Sequence, residues 1–264
     1  MTNSIYKQLQ KEAIRIAGQY PDPGFYTDFS EQVARSKRFF AGDETVCRLL
    51  RLVAENIEND YGHGLEHVQN VALDAGALIL IESEGHLTTA GQLEHRMRLA
   101  HAAGLLHDIR RKEKRHAEAG ARYAGRILRD YRFSGRDIED ICLAIENHEA
   151  FGKNRQGDTK ASSLLSDCLY DADKFRWGPE NFTGTLWAMV SYADIPLDRF
   201  LYHYPRGMAY LEKIRETFRT PTGRLYGPQF IDLGIAIGRD LHELIRRKYA
   251  DLINSKGPGD LSPE

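Results

Sequence analysis

The sequence has few cysteines and no long apolar run. Its three cysteines, Cys47, Cys142 and Cys168, form no Cys-x-x-Cys pair, so a reduced protein without a disulfide framework is the simplest expectation. No apolar segment approaches the roughly 18 residues that a membrane-spanning helix needs. The opening segment MTNSIYKQLQKEAIRIAG carries more charge than a secretory signal does. We therefore expect a cytoplasmic protein that does not bind membranes.

A strong net charge is also missing. The 36 Lys and Arg residues nearly balance the 38 Asp and Glu residues, which gives a formal net charge of −2. Binding to duplex nucleic acid relies on an extended basic surface, so we expect no such binding. Any preference for anions must come from a local group of basic residues.

Alternating, strand-like patterns are scarce, whereas apolar residues recur at helical spacing along most of the chain. Clusters rich in Gly, Pro and Asp, such as YPDPG, YRFSGRD, RWGPENF and TPTGRLYGP, separate these segments. The pattern predicts an all-α protein with a single domain over residues 1–255, whose last helices span 207–218 and 229–252. The polar end at 256–264 is predicted to be disordered.

One helix ends in two titratable residues. The segment MRLAHAAGLLHDI is apolar almost all round the helix and finishes in His107 and Asp108. A buried carboxylate is costly unless it is paired or binds a metal. Consecutive helical residues diverge by about 100°, so these two side chains can share an ion only near the helix end. Pairing of Asp108 with an arginine is the alternative.

Other helices offer metal-binding side chains in similar places. His67 flanks the apolar stripe of GHGLEHVQNVALDAGALIL, and Asp173 follows the stripe of LLSDCLYDADKF. Because packing turns apolar stripes inward, His67, His107, Asp108 and Asp173 could surround one divalent ion. Two imidazoles and two carboxylates suit Mn²⁺, Fe²⁺, Co²⁺, Ni²⁺ or Zn²⁺ better than Mg²⁺. Taken singly, a histidine on the flank of an apolar stripe is usually a hydrogen-bonded core residue, and Asp171 is also explained as a capping residue.

These segments resemble the HD-domain superfamily of metal-dependent phosphohydrolases. The matching motifs are EHVQNV, LLHDI and DADK, in that order. The resemblance is strongest to a small bacterial branch with an H-x-x-x-H-V start, a His-Ala helix after the HD pair and an I-x-x-H segment; the corresponding stretches here are HGLEHV, RHAEAGARYAGRIL and AIENHEA. It implies a helical HD bundle over about 60–180, with additional helices in 1–59 and 181–255.

The resemblance also implies roles for individual residues. It makes His67, His107, Asp108 and Asp173 the metal ligands and Asp171 an outer residue that orients a ligand or a water. It makes His116 and His148 candidates for a second metal or for the substrate phosphate, and His63 begins the H-x-x-x-H-V motif. Arg111 and Lys174 are further candidates because they are basic residues next to the motifs, although a solvated charged loop also explains the run at Arg111. Whether one ion or two are bound stays open.

The implied activity is hydrolysis of a phosphomonoester or phosphoanhydride of a small metabolite, with a nucleotide as the favoured substrate. In this mechanism Asp108 accepts a proton from water and His116 protonates the leaving group. The alternatives are a cyclic-nucleotide or alarmone phosphodiesterase, a non-catalytic HD module that senses a nucleotide or partner, and a helical scaffold. Helical proteins of this size often pair, so a homodimer is a further expectation.

Overall fold

The structure is a computed structural model that describes residues 2–57, 64–84, 89–152 and 154–249. The helices found there are α1 (Thr2–Ala17), α2 (Gly24–Asp28), α3 (Ser30–Gly42), α4 (Glu44–Asn56), α5 (Leu65–Glu82), α6 (Ala90–Leu106), α7 (His116–Ile127), α8 (Gly135–Glu146), α9 (Lys160–Phe175), α10 (Leu186–Tyr192), α11 (Leu197–Ile214) and α12 (Pro221–Lys248). A 3₁₀ turn follows α7 at Leu128–Asp130, and a π turn precedes α10 at Asn181–Thr185. The described residues contain no β-strand, so the all-α prediction is confirmed.

Helices α5 and α6 form the centre of the bundle. Both are buried on most sides along their apolar halves, and α3, α8 and α9 pack around them. Where α5 and α6 cross, Gly104 lies against Ala72. A Cβ atom on Gly104 would stand 2.4 Å from the Ala72 Cα atom, so only glycine permits this close approach.

Side-chain caps define the starts of three helices around this centre. Thr89 accepts a hydrogen bond from the Gln92 N–H and forms a capping box with it at the start of α6. Ser134 and Asp137 form a second capping box at the start of α8. Thr159 caps α9. Since each helix has a fixed start, the position at which its far end meets the neighbouring helices is fixed as well.

Two C-terminal helices are longer than the sequence pattern predicts. α11 begins well before the predicted start at 207 and contains Pro205, and α12 begins at Pro221 rather than at 229. Thr220 caps α12 by accepting a hydrogen bond from Gly223 N at 2.8 Å. Gly223 is needed for packing rather than for a turn, because a Cβ atom there would lie 2.0 Å from an oxygen of Asp171. The boundaries were wrong because glycine and proline were interpreted as breaks.

No helix within the described residues is long and apolar enough to cross a membrane. The predicted disordered end at 256–264 lies outside the described residues, and the division into a core and flanking helices stays a prediction.

Candidate metal centre

Four predicted ligands lie at neighbouring helix ends. His67 is in the first turn of α5, His107 and Asp108 directly follow α6, and Asp173 is in the last turn of α9. None of these residues is more than 5% exposed. The helices therefore bring two imidazoles and two carboxylates together in the protein interior.

The ligand atoms of these side chains face a common point. His67 Nε2 lies 3.3 Å from His107 Nε2 and 3.3 Å from Asp173 Oδ1. Asp108 Oδ2 lies 3.8 Å from His67 Nε2 and 3.6 Å from His107 Nε2. Bond lengths of about 2.0–2.2 Å to a zinc-like ion place its ligand atoms roughly 3 to 3.5 Å apart. His67, His107 and Asp173 are therefore spaced closely enough to contact one ion, and Asp108 Oδ2 lies beside both imidazoles.

Asp108 faces a second pair of imidazoles with its other oxygen. Asp108 Oδ1 lies 3.5 Å from Nε2 of both His116, at the start of α7, and His148, just after α8. The Nε2 atoms of His116 and His148 are 3.2 Å apart. Asp108 thus stands between two groups of histidines, with Oδ2 toward the first and Oδ1 toward the second.

Backbone carbonyls fix the orientation of two of the rings. His107 Nδ1 lies 2.7 Å from the Gly104 carbonyl oxygen, and His148 Nδ1 lies 2.7 Å from the Ile145 carbonyl oxygen. A carbonyl oxygen can only accept, so each Nδ1 is the donor and carries a proton. The Nε2 atoms of both rings therefore face the carboxylates, where each would offer a lone pair to a metal that replaces any Nε2 proton.

The charges at the cluster favour a cation. Burial alone would raise the pKa of Asp173, but Lys174, whose Nζ is 2.5 Å from Asp173 Oδ2, and the nearby histidines hold that pKa well below its usual value. Burial lowers the pKa of His107, yet the carboxylates of Asp108 and Asp173 outweigh it, and the net shift is upward. The two carboxylates stabilise positive charge at this point, which a divalent ion can supply.

His116 is held in its neutral form. Burial first, and then the neighbouring Arg111 guanidinium, lower the pKa of His116 to about 3. Arg111 Nη1 lies 2.6 Å from His116 Nε2 and can only donate, so Nδ1 bears the proton and donates to Glu149 Oε1 at 2.8 Å. This arrangement favours a ligand role for His116 over the predicted role as a general acid. Glu149, which orients the ring, was missed from the sequence although it adjoins His148.

The Asp171 carboxylate contacts the start of α12. Its Oδ1 accepts a hydrogen bond from Arg219 N at 2.8 Å, and its Oδ2 accepts one from Thr220 N at 2.8 Å. Burial raises the pKa of Asp171 to about 6 despite these bonds. Both oxygens are engaged at the start of α12, which favours the capping interpretation over the orientation of a ligand. His63 lies outside the described residues.

A buried ion-pair network behind the cluster was also missed. The Arg176 guanidinium contacts the Asp74 carboxylate, lies 2.5 Å from Glu180 Oε2, and donates to the Tyr26 hydroxyl at 2.6 Å. These contacts tie the end of α9 to α5 and α2. Asp74 offered the same signal as Asp108, a carboxylate on a helix that is otherwise apolar.

A cavity of about 630 Å³ opens beside the cluster. His67 and Arg111 line it on the side of the ligands. The rest of its wall comes from Trp177, the π turn and helices α10 and α11, including Phe182 and Tyr210. The cluster of His67, His107, Asp108 and Asp173, called the ligand cluster below, therefore opens into a space large enough for a small organic molecule.

The family model for the HD domain matches residues 64–178. This segment, a little under half of the chain, is similar to the HD domain. It contains both groups of histidines and all of the predicted carboxylate ligands, while α10, α11 and α12 lie beyond it. HD domains belong to a superfamily of metal-dependent phosphohydrolases and are generally hydrolases of phosphate esters. Comparisons with curated proteins and with solved structures found no match.

The buried His and Asp side chains of this segment fit a divalent metal. Two overlapping sets of ligand atoms, one from His67, His107 and Asp173 and one from His107, Asp108 and His148, each lie within 4.8 Å of one another. Imidazole nitrogens mixed with carboxylate oxygens suit first-row transition ions. The two buried carboxylates and the Nδ1–H tautomers of His107 and His148 support the same conclusion.

Proposed function

We propose that this protein is a metal-dependent phosphohydrolase that cleaves a phosphomonoester or phosphoanhydride of a small metabolite, with a nucleotide as the favoured class. The single observation that carries this proposal is the convergence of two imidazoles and two carboxylates at 3.3–3.8 Å in the HD domain. A divalent ion bound there would lower the pKa of water and polarise a phosphoryl oxygen.

The proposed ligands of the first ion are His67 Nε2, His107 Nε2, Asp108 Oδ2 and Asp173 Oδ1. Lys174 supports this set, because its contact with Asp173 Oδ2 leaves Oδ1 directed at the two imidazoles. The second group, formed by Asp108 Oδ1 with His116 and His148, is the proposed place for a second ion or for the substrate phosphate.

Arg111 is the proposed phosphate contact. Its side chain is 37% exposed, and Nη1 lies 3.7 Å from Asp108 Oδ1. Arg111 also lines the cavity beside the ligands. A guanidinium offers paired donors that match phosphate oxygens. Asp108 is suitably placed to accept the proton of an attacking water, since its two oxygens face both groups of histidines.

Aromatic side chains support a nucleotide as substrate. Trp177 and Tyr210 line the cavity next to Arg111, and their ring centroids are 5.4 Å apart. Aromatic rings bind flat heterocycles through their faces. A base in this cavity would place the phosphate of a nucleotide toward Arg111 and the ligand cluster.

The test is a phosphate-release assay. Protein loaded with Mn²⁺, Co²⁺, Ni²⁺, Zn²⁺ or Mg²⁺ is incubated with nucleotides and with p-nitrophenyl phosphate. We expect hydrolysis with at least one transition metal, and a loss in Asp108→Asn larger than the roughly 10- to 100-fold effect of an outer residue. The matched control is His95→Gln, which changes a histidine that is 45% exposed and bonded to Asp137.

The control variant is expected to retain the activity of the wild type. Absence of phosphate release from every substrate with every metal would contradict the proposal. Wild-type activity in Asp108→Asn would contradict the assigned site.

A further inference from the structure

The charged side chains that line the cavity beside the ligand cluster are of one sign. Its lining includes the cationic side chains Arg111, Arg176, Arg199, Arg206 and Lys213, and no Asp or Glu among the described residues that line it. The chain as a whole has a net charge of −2, so the positive charge is a local feature. A cavity lined by one sign of charge attracts ligands of the opposite sign.

Most of this charge comes from one face of α11. The face consists of Arg199, His203, Arg206, Tyr210 and Lys213, which all line the cavity and are all exposed. Their spacing of four and three residues places them in one row along the helix. We call this row the α11 stripe. The two acidic residues of α11, Asp198 and Glu212, are not part of it.

The cations of the α11 stripe differ from the other cations of the cavity. Arg176 is buried and pairs with Asp74 and Glu180, and Arg111 contacts the ligand cluster. Within the described part of the chain, no ion pair neutralises the guanidinium and ammonium groups of the stripe. Their charge is therefore available to a ligand that enters the cavity.

Apolar side chains form much of the cavity wall. Phe182, Leu186, Val190 and Leu211 are among the lining side chains, and Trp177 adjoins Tyr210 of the stripe. The volume of about 630 Å³ falls in the range of about 300–1,000 Å³ that is usual for small-molecule pockets. The cavity thus has cationic side chains both beside the ligand cluster and along α11, together with an apolar and aromatic surface.

We propose that the ligand of this cavity is a phosphate ester with a second anionic group, separated from the scissile phosphate by an aromatic or apolar body. The scissile phosphate lies at Arg111 and the ligand cluster, the body lies against Trp177 and the apolar wall, and the second anion contacts Arg199 and Arg206. Cleavage of the phosphate at Arg111 and the ligand cluster depends on the proposed function. Binding of the second anion does not depend on it.

Binding of two related nucleotides tests this inference. Adenosine 3′,5′-bisphosphate and adenosine 5′-monophosphate differ by one phosphate. Each is mixed rapidly with the metal-loaded full chain, and the fluorescence of its two tryptophans is recorded before turnover. We expect the bisphosphate to bind roughly tenfold more tightly, since each exposed ion pair contributes up to about 1 kcal/mol.

Variants identify the groups that bind the second phosphate. Arg199→Gln/Arg206→Gln is expected to lose this roughly tenfold preference while binding the monophosphate almost as the wild type does. The control Arg246→Gln/Arg247→Gln removes the same charge from exposed positions at the end of α12 and is expected to keep the preference. Added salt is expected to weaken the preference in the wild type.

Equal binding of the two nucleotides by the wild type would overturn the inference, and so would a preference that survives in Arg199→Gln/Arg206→Gln. Hydrolysis of p-nitrophenyl phosphate, which has one phosphate and a small body, tests the proposed function separately. Selective binding without hydrolysis of any ester would contradict the proposed function alone. Hydrolysis without selective binding would contradict this inference alone.

Discussion

Substitution of Gly104 by alanine is expected to damage both stability and the ligand cluster. Gly104 lies in the last turn of α6, three residues before His107, where α6 crosses α5. A Cβ atom at this position would lie 2.4 Å from the Ala72 Cα atom and 2.7 Å from the Ala72 backbone nitrogen. Backbone atoms cannot rotate away, so the two helices must separate.

The separation required is about 1 Å, since an ordinary contact begins near 3.4 Å. Overpacking of a well-packed core costs about 1–3 kcal/mol, and we expect the upper part of this range because the clash is with backbone. The same movement displaces His107, which directly follows α6, relative to His67 of α5; their Nε2 atoms are 3.3 Å apart. Metal affinity should therefore fall together with the free energy of unfolding.

Urea denaturation of Gly104→Ala and of Gly91→Ala measures this effect. Gly91 lies at the opposite end of the same helix, and a Cβ atom there meets nothing within 4 Å. We expect Gly91→Ala to be neutral or to stabilise by up to about 1 kcal/mol, because alanine has the higher helix propensity. Equal stability of the two variants would refute the packing argument, and an unchanged metal affinity in Gly104→Ala would refute its link to the site.

Two further predictions concern buried titratable groups away from the ligand cluster. Burial lowers the pKa of His101 to about 3 from 6.5. The free energy of unfolding therefore keeps the full contribution of this buried neutral ring above pH 6.5 and decreases as the pH falls toward 3. At pH 5 the decrease is about 2 kcal/mol. His101→Gln should weaken the dependence of the unfolding free energy on pH, measured by urea denaturation. An unchanged dependence would contradict the assignment of this effect to His101. Asp171→Ala should cost about 2 kcal/mol or more, because the N–H groups of Arg219 and Thr220 lose their acceptors, yet metal content should stay normal. A selective loss of metal in Asp171→Ala would instead support the role of an outer residue that orients a ligand.

The proximity of His67, His107, Asp108 and Asp173 could be predicted from the sequence because the signal is local. A polar pair at the end of an apolar helix, as at His107 and Asp108, is costly without a partner, and the order of the surrounding motifs supplied the partners. The sequence could not show that Asp108 stands between two groups of histidines. That arrangement depends on where the ends of α7 and α8 meet α6, which is a property of the packed bundle.

The cavity was harder to predict from the sequence, because helices that carry no recognisable motif form much of its wall. Pro205 made the first half of α11 look like a loop, since proline in a helix interior costs about 3 kcal/mol. Tertiary contacts outweigh this cost: α11 packs on α12, and the Tyr204 hydroxyl donates to the Gly238 carbonyl oxygen at 2.8 Å. With its first half missing from the predicted helix, the row that includes Arg199 and Arg206 could not be recognised as one face.

The most direct test of the account is the metal content of the purified chain after loading with a transition metal and removal of the excess. We predict about one tightly bound ion or more per chain in the wild type, a large loss in His107→Gln with helical content retained by circular dichroism, and wild-type content in His95→Gln. A wild-type protein without bound metal, or a His107→Gln variant that binds as much as the wild type, would contradict the claim that these helix ends form a metal site.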